Sequence, residues 1–141
     1  MLPTLDPLHR SGAQRIAALA GIVAIATAPA AHAVDRSGKA QTGVASYYGP
    51  QFAGKKTASG KPLKPHHMTA ASRTLPLGTR AKVVNRDNGK SAEVTVTDRG
   101  PYTKGRVIDV SPKAAETLGM KDDGVAPVKV QPVQLPPKPK G

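Results

Sequence analysis

Carboxylates, the side chains best suited to proton transfer, are scarce in this sequence. The chain carries 9 Asp and Glu against 21 Lys and Arg. Asp98 ends the apolar run Val94–Thr97 and is followed by Arg99-Gly100-Pro101-Tyr102. A carboxylate where a strand stops at a Gly-Pro turn can face a groove while its backbone stays rigid, so Asp98 is the candidate functional acid. Asp109 lies within an apolar run and is expected to be a structural carboxylate that accepts hydrogen bonds from backbone or Arg groups.

Other catalytic and metal-binding patterns are missing from the sequence. His66 and His67 are adjacent, so their side chains diverge in an extended chain, and no HExxH zinc motif accompanies them. Glycine-rich phosphate-binding loops and the GxSxG nucleophile pattern are also missing. There is no Cys to serve as a nucleophile, a thiolate ligand or a disulfide partner. We therefore expect neither a cofactor nor a metal.

Tyr47 and Tyr48 are candidate sugar-binding residues. The chain has three Tyr, one Phe and no Trp, so two adjacent aromatic side chains are conspicuous. Neighbouring residues of a strand point to opposite faces. One ring therefore either stacks on a sugar or fills the core, and both interpretations remain open.

The formal charge of +12 indicates an anionic partner: a nucleic acid, a membrane surface or an acidic polymer. Residues 1–33 narrow this choice. Arg10 and Arg15 precede the apolar run Ile16–Ala28, which is followed by Ala31-His32-Ala33. This arrangement predicts a secretory signal peptide cleaved after Ala33, the alternative being an uncleaved anchor. An exported chain, periplasmic or extracellular, rarely meets nucleic acid but does meet cell-wall polymer and anionic membrane surface. The anionic cell wall is therefore the expected partner.

The elements that position these side chains are mostly short strands. An Asn88-Gly89 turn favours an antiparallel hairpin between the alternating runs that flank it. Several short strands with one helix predict a small β-barrel. The predicted strands are residues 43–48, 79–85, 91–97, 106–110 and 125–133.

One helix has clear start and stop signals. Ser111 suits the N-cap, Pro112 the first helical position and Gly119 the C-terminal stop. The Pro- and Lys-rich end of the chain is expected not to pack and to extend as a basic arm. The expected organisation is a linker at 34–42, a barrel domain at 43–133 and a tail at 134–141.

Five motifs occur in order along about 90 residues: Ala45–Gly49, Thr57–Gly60, Thr69–Thr79, Val96–Tyr102 and Gly105–Ser111. Together they resemble the rare lipoprotein A family, the septal-ring lytic transglycosylases. The resemblance implies a mainly β fold, a six-stranded double-psi β-barrel with one or two short helices. It also implies cleavage of peptidoglycan between N-acetylmuramic acid (MurNAc) and N-acetylglucosamine (GlcNAc), preferably in strands without stem peptides. Asp98 occupies the position of the family's catalytic Asp.

The sequence departs from the family pattern at two positions. Lys61 stands where an acid usually follows the Thr-Ala-Asn-Gly motif, and Ser72 stands where a His usually precedes Arg-Thr-Leu-Pro. The family's lipid-anchoring Cys is also missing, so we expect a soluble protein with no stable membrane anchor. The glycan-binding SPOR domain is missing too, so septal targeting does not follow. We expect a monomer. Candidate partners are peptidoglycan strands and division or envelope proteins. The expected substrate-binding residues are Tyr47, Tyr48, Lys61, Ser72, Arg73, Arg99 and Tyr102.

One acid is sufficient for the chemistry that the resemblance implies. Hydrolytic glycosidases generally need two carboxylates. In a lytic transglycosylase the 6-hydroxyl of MurNAc attacks its own anomeric carbon, an intramolecular step. Protonated Asp98 would give its proton to the leaving oxygen and recover one from the hydroxyl. A non-catalytic peptidoglycan-binding module is the alternative function, and an expansin-like or inhibitor-binding protein is a third.

Overall fold

The structure, a computed structural model, describes residues 34–138. The predicted signal peptide at 1–33 lies outside the described residues. No helix between residues 34 and 138 is long and apolar enough to cross a membrane. The strands are β1 (Gln41–Tyr47), β2 (Thr69–Ala71), β3 (Arg80–Asn85), β4 (Ser91–Asp98), β5 (Arg106–Val110) and β6 (Val125–Gln134). In this described part of the chain they are accompanied by a 3-10 turn (Pro50–Phe52) and one helix, α1 (Pro112–Thr117).

The six strands close into a barrel in the order β1-β5-β2-β4-β3-β6. The pairs β1–β5 and β2–β4 are parallel, and the other four pairs are antiparallel. Strands that are neighbours in the barrel are therefore mostly distant in sequence. The predicted mainly β fold, a six-stranded barrel with a short helix, is confirmed.

Period-two alternation fills the barrel. Along β4, Ala92, Val94 and Val96 are buried, whereas Glu93 is exposed. Within residues 34–138, the buried core cluster has no aromatic side chain and is built from Ala, Val, Leu, Ile and Met. Such small side chains suit a narrow six-stranded barrel, in which little space remains between facing strands.

The hairpin and the helix follow their local signals. The β3–β4 turn places Gly89 at φ +77°, a conformation that favours glycine. The Ser111 hydroxyl caps α1 by accepting a hydrogen bond from the Ala114 N–H (3.3 Å). Gly119 follows the helix at φ +67°.

The structure differs from the predictions at both ends of the domain. β1 begins at Gln41, inside the predicted linker, and β6 continues to Gln134. The expectation that the Pro-rich end does not pack is wrong as far as Pro137. The Arg36 guanidinium donates a hydrogen bond to the Pro136 carbonyl, and both residues line a cleft with Pro137. The two segments lie side by side because each continues one strand of the β1–β6 pair.

β2 is the one strand that periodicity did not identify. It has only three residues, Thr69–Ala71, and too few alternations to show a pattern. Nonetheless it joins two other strands, since it pairs with β4 in parallel and with β5 in antiparallel fashion.

Candidate active site

Asp98 is the last residue of β4, and its carboxylate is half-buried at the end of the barrel. The Oδ1 atom accepts hydrogen bonds from the N–H groups of Ala58 and Arg99, both at 2.9 Å. The Oδ2 atom lies 3.4 Å from the Tyr48 hydroxyl. The two oxygens therefore differ: the backbone holds Oδ1, and Oδ2 has only a side-chain neighbour.

A tight loop delivers the Ala58 N–H to the carboxylate. The loop is closed by two hydrogen bonds to the Lys61 carbonyl, from Thr57 N–H (2.9 Å) and from Thr57 Oγ1 (2.6 Å). Gly60 makes the reversal possible at φ +91°. The N–H of Ser59 then donates to the Thr97 carbonyl (3.0 Å), which attaches the loop to β4 next to Asp98.

Tyr48 directly follows β1 and reaches Asp98 from fifty residues earlier in the chain. Its N–H donates to the Val110 carbonyl (3.1 Å), and its ring meets Phe52 edge-on, with centroids 6.0 Å apart. Burial raises the pKa of the Tyr48 hydroxyl, and the nearby negative charges of Asp98 and Asp109 raise it further. Tyr48 therefore stays protonated at neutral pH and can donate a hydrogen bond to Asp98.

Tyr47 and Tyr48 line one side of a cleft of about 450 Å³. The Tyr47 hydroxyl donates to the Lys121 carbonyl (3.1 Å) across this cleft, and its ring also packs against the core. Of the two interpretations of the tyrosine pair, core packing is observed for Tyr47, and sugar contact stays a prediction. The other lining residues are mainly apolar: Gly49, Pro50, Ala53, Leu63, Pro65 and Pro112.

Phe52 is a candidate binding residue that the sequence did not single out. Its ring is 42% exposed beside Tyr48 in the 3-10 turn. The sequence did indicate this exposure, because the single Phe of the chain lies in a loop rich in Gly and Pro, where it has no core to pack against. Tyr102, a predicted binding residue, is 64% exposed, and its ring lies over Gly100 after the Asp98 turn.

The predicted substrate contact of Ser72 is not supported, because its side chain is 1% exposed. The Ser72 hydroxyl accepts hydrogen bonds from the N–H groups of Thr74 (3.3 Å) and Leu75 (3.0 Å). It organises the turn after β2, and its own N–H donates to the Asp98 carbonyl (3.0 Å). Ser72 thus supports the site from behind.

Arg99 and Arg73, also predicted to bind substrate, donate to backbone carbonyls instead. Arg99 Nη1 donates to the carbonyls of Ser72 (3.0 Å) and Leu75 (2.6 Å). Arg73 Nη1 donates to the Pro101 carbonyl (3.1 Å). Both guanidinium groups therefore fasten the turns that flank Asp98.

Asp109 has the surroundings of a structural carboxylate. Arg106 Nη2 donates to both of its oxygens, at 2.8 and 3.0 Å, and the Ser46 hydroxyl donates to Oδ1 at 2.5 Å. These contacts connect β1 to β5. Across residues 34–138, no group of three or more His, Cys, Asp or Glu is arranged to hold a metal ion.

Lys61 lines a second cleft, of about 360 Å³, together with Thr57 at the other end of the loop. Its side chain is exposed, and two further basic residues, Lys64 and His67, line the same cleft. The site thus combines one carboxylate, a neutral phenol and a basic neighbouring cleft.

Known proteins are similar to this domain in both sequence and fold. Residues 40–130 match the lytic transglycolase family model of double-psi β-barrel domains. A probable endolytic peptidoglycan transglycosylase RlpA from Nostoc sp. is 54% identical over 91 residues, 63% of this chain and 24% of the relative. A second, from Synechocystis sp., is 43% identical over 135 residues, 94% of this chain and 42% of the relative. The chain thus spans less than half the length of these relatives.

Two solved structures have similar folds. A Streptomyces papain inhibitor is 26% identical with a TM-score of 0.56, over 69% of this chain and 96% of the inhibitor. A Clavibacter michiganensis expansin in complex with cellohexaose is 21% identical with a TM-score of 0.54, over 72% of this chain and 54% of the expansin. The expansin likeness concerns the fold alone. The family model matches well over half of the sequence, and the matched residues include Asp98. The chain therefore belongs to the lytic transglycolase family.

Proposed function

We propose that this protein is an exported endolytic transglycosylase that cleaves the MurNAc–GlcNAc bond of peptidoglycan and leaves a 1,6-anhydro-MurNAc end. The observation that carries the proposal is the Asp98 carboxylate, which the backbone holds by one oxygen beside an apolar, aromatic cleft. Family membership and the names of the relatives, which are peptidoglycan transglycosylases, support the same reaction.

The geometry of Asp98 suits the transfer of one proton out and one proton back. Because Ala58 and Arg99 both donate to Oδ1, the proton of the acid form belongs on Oδ2. From there it passes to the glycosidic oxygen as the bond from that oxygen to C1 of MurNAc breaks. The 6-hydroxyl oxygen of the same MurNAc bonds to C1, and its proton returns to Asp98. No water is consumed, and the carboxyl ends in its starting state.

A second carboxylate is not required for this reaction. Asp109 is paired with Arg106 and Ser46, so it is not available for proton transfer. Lys61, at the position where the family usually has an acid, cannot activate water as a carboxylate would. An intramolecular nucleophile removes the need for that activation, because the reacting hydroxyl is already attached to the sugar.

The proposed location is the periplasm or the cell exterior, after removal of residues 1–33 as a signal peptide. The arginines and the apolar run before Ala33 support this proposal. The full chain, expressed in a bacterium and recovered from the periplasm, should have the intact mass of a protein that begins at Val34. Recovery of the uncleaved chain in the membrane fraction would support the anchor instead.

The deciding experiment incubates this purified protein with peptidoglycan strands freed of stem peptides. Mass spectrometry should detect 1,6-anhydro products with the wild type, and Asp98→Asn should reduce their formation by at least about 100-fold. Asp122→Asn, which changes an exposed carboxylate in a loop, is the matched control and should retain activity. If 1,6-anhydro products form equally well with Asp98→Asn, the proposed mechanism is wrong.

The same experiment separates the second candidate function, a non-catalytic peptidoglycan-binding module. The basic cleft at Lys61 and the exposed Phe52 ring favour that candidate, since both would hold a glycan without cutting it. Binding of the strands without any 1,6-anhydro product, at high protein concentration, would establish the binding module and exclude the enzyme.

A further inference from the structure

We propose that Lys61, Lys64 and His67 form an anion-binding subsite next to Asp98, and that it takes the free lactyl carboxylate of a MurNAc residue. The proposal rests on the proposed function, because it is the peptidoglycan strand that brings this carboxylate to the site. It goes further by assigning a recognition role to basic residues that take no part in the proton transfer.

The cleft that contains these residues has the size and the charge for a small anionic group. Its volume is about 360 Å³, and its three basic side chains are accompanied by three Thr residues. Among the described residues that line it, there is no Asp or Glu. A cleft lined by two lysine cations and no acid attracts anions and repels other cations.

One hydroxyl in the cleft lacks the hydrogen bond that its burial demands. Thr69 Oγ1 is buried and has no hydrogen-bond partner among the described residues. Thr57 Oγ1, by contrast, is already bonded to the Lys61 carbonyl (2.6 Å). Thr69 Oγ1 is enclosed by protein atoms, so the exposed side chains of Lys61, Lys64 and His67, and not this hydroxyl, would contact an anion in the cleft.

The cleft begins within one residue of the catalytic carboxylate. Thr97 and Thr57 line it, and they directly precede Asp98 and Ala58, which are joined by the 2.9 Å hydrogen bond to Oδ1. Consecutive Cα atoms are about 3.8 Å apart. The lactyl group is attached to C3 of the MurNAc ring whose C1 reacts, so a carboxylate in the cleft and the bond to be broken belong to neighbouring parts of one sugar.

A cationic subsite at this position distinguishes two forms of the glycan strand. The lactyl carboxylate is negatively charged when no stem peptide is attached, and it becomes a neutral amide when the peptide is present. An ion pair in a solvated cleft contributes a few-fold to affinity, and two lysines together contribute about three- to tenfold. The subsite should therefore favour strands without peptides.

The test measures binding of two synthetic glycan strands that differ only at this group. One is a GlcNAc–MurNAc oligosaccharide with free lactyl carboxylates, and the other carries methylamides in their place. Calorimetry with the full-length protein carrying Asp98→Asn, which prevents cleavage, should show about three- to tenfold tighter binding of the carboxylate strand. Adding Lys61→Gln and Lys64→Gln should bring this ratio close to one, whereas Lys129→Gln, an exposed lysine on β6, should leave it unchanged.

Amide chemical shifts locate the effect. On addition of the carboxylate strand, the N–H signals of Thr57, Lys61 and Thr69 should move more than they do with the methylamide strand. Equal binding of the two strands, or a preference that survives both lysine substitutions, would overturn the subsite. Neither result depends on catalysis, so formation of 1,6-anhydro products by the unsubstituted protein is judged separately.

Discussion

At the scale of single residues, the site depends on the unequal surroundings of the two Asp98 oxygens. Two backbone N–H groups hold Oδ1, whereas Oδ2 faces the Tyr48 hydroxyl at 3.4 Å. Tyr48 is neutral in the folded protein because burial and two carboxylates oppose its ionisation. It acts as a positioning residue, a donor that orients Asp98.

Substitution of Tyr48 by Phe should change how the stability depends on alkaline pH. The pKa of Tyr48 is raised by folding, so its contribution to stability is complete below the ordinary tyrosine value of 10.0 and is lost as the pH rises above it. Urea unfolding at pH values from about 8 to 11 should therefore show a decline that begins near pH 10. In Tyr48→Phe this decline should be shallower by up to about 1.4 kcal/mol per pH unit.

The same variant also tests whether the Tyr48 hydroxyl positions Asp98. Tyr48→Phe keeps the ring against Phe52 and removes only the hydroxyl, so kcat should fall about five- to tenfold while KM changes little. Identical pH–stability curves for the two proteins would show that the hydroxyl is not buried as described.

At the scale of elements, the Asp98 carboxylate is held by turns rather than by the strand alone. Arg99 fastens the turn after β2 through the carbonyls of Ser72 and Leu75, and the Ser72 N–H donates back to the Asp98 carbonyl. The Arg99 guanidinium points to these carbonyls. Arg99 therefore stabilises the turn after β2, although it directly follows Asp98 in the sequence.

Removal of the Arg99 guanidinium should therefore destabilise the protein. Arg99→Met keeps the aliphatic stem and leaves two half-buried or buried carbonyls without their donor, so the free energy of unfolding in urea should fall by about 1–3 kcal/mol. Arg86→Met, at an exposed hairpin position, is the matched control and should differ little from the wild type. Equal losses in the two variants would contradict the role assigned to Arg99.

The local signals of the sequence predicted most of these elements, and they failed where the structure depends on distant contacts. The Asn88-Gly89 hairpin and the Ser111 cap were identifiable because their determinants lie within a few residues. β2 has three residues and is a strand only because β4 and β5 flank it. Contacts between separate segments, such as Tyr48 with Asp98, leave no periodic trace, and Asp98 itself was identified from its place at a strand end.

Lys61 and Ser72 show that the position of a residue in a motif does not by itself determine its role. Lys61 stands where the family usually has an acid, and Ser72 stands where it usually has a His. Both were therefore expected to contact substrate. Lys61 does line an exposed cleft, but Ser72 is buried beneath its turn. Sequence position alone could not separate them, because burial depends on how the turn after β2 packs.

At the scale of the whole molecule, the two ends of the domain are joined. The N–H of Asp35 donates to the Thr74 carbonyl (2.7 Å), and the Gln131 side chain donates to the Gly38 carbonyl (3.1 Å). Pro136 receives a hydrogen bond from Arg36 and lies against Gly78. The segments on either side of the barrel thus stabilise it, although the sequence suggested a linker and a free arm.

Truncation should measure this contribution. A chain that ends at Gln134 loses the Arg36–Pro136 contact and the half-buried Leu135, so its free energy of unfolding should be lower by about 1–2 kcal/mol. A chain that ends at Lys138 retains these contacts and is the control. Equal stability of the two truncated chains would show that residues 135–137 do not support the barrel.

The pairing of β1 with β6 also sets the order in which the protein can fold. These strands begin at Gln41 and end at Gln134, so the barrel cannot close until almost the whole domain is available. The β3–β4 hairpin alone joins consecutive strands, and a topology dominated by distant pairings folds slowly. A ribosome that releases the chain from its N-terminus must therefore release β6 before the barrel can form. The polypeptide stays unfolded until almost the whole domain has emerged.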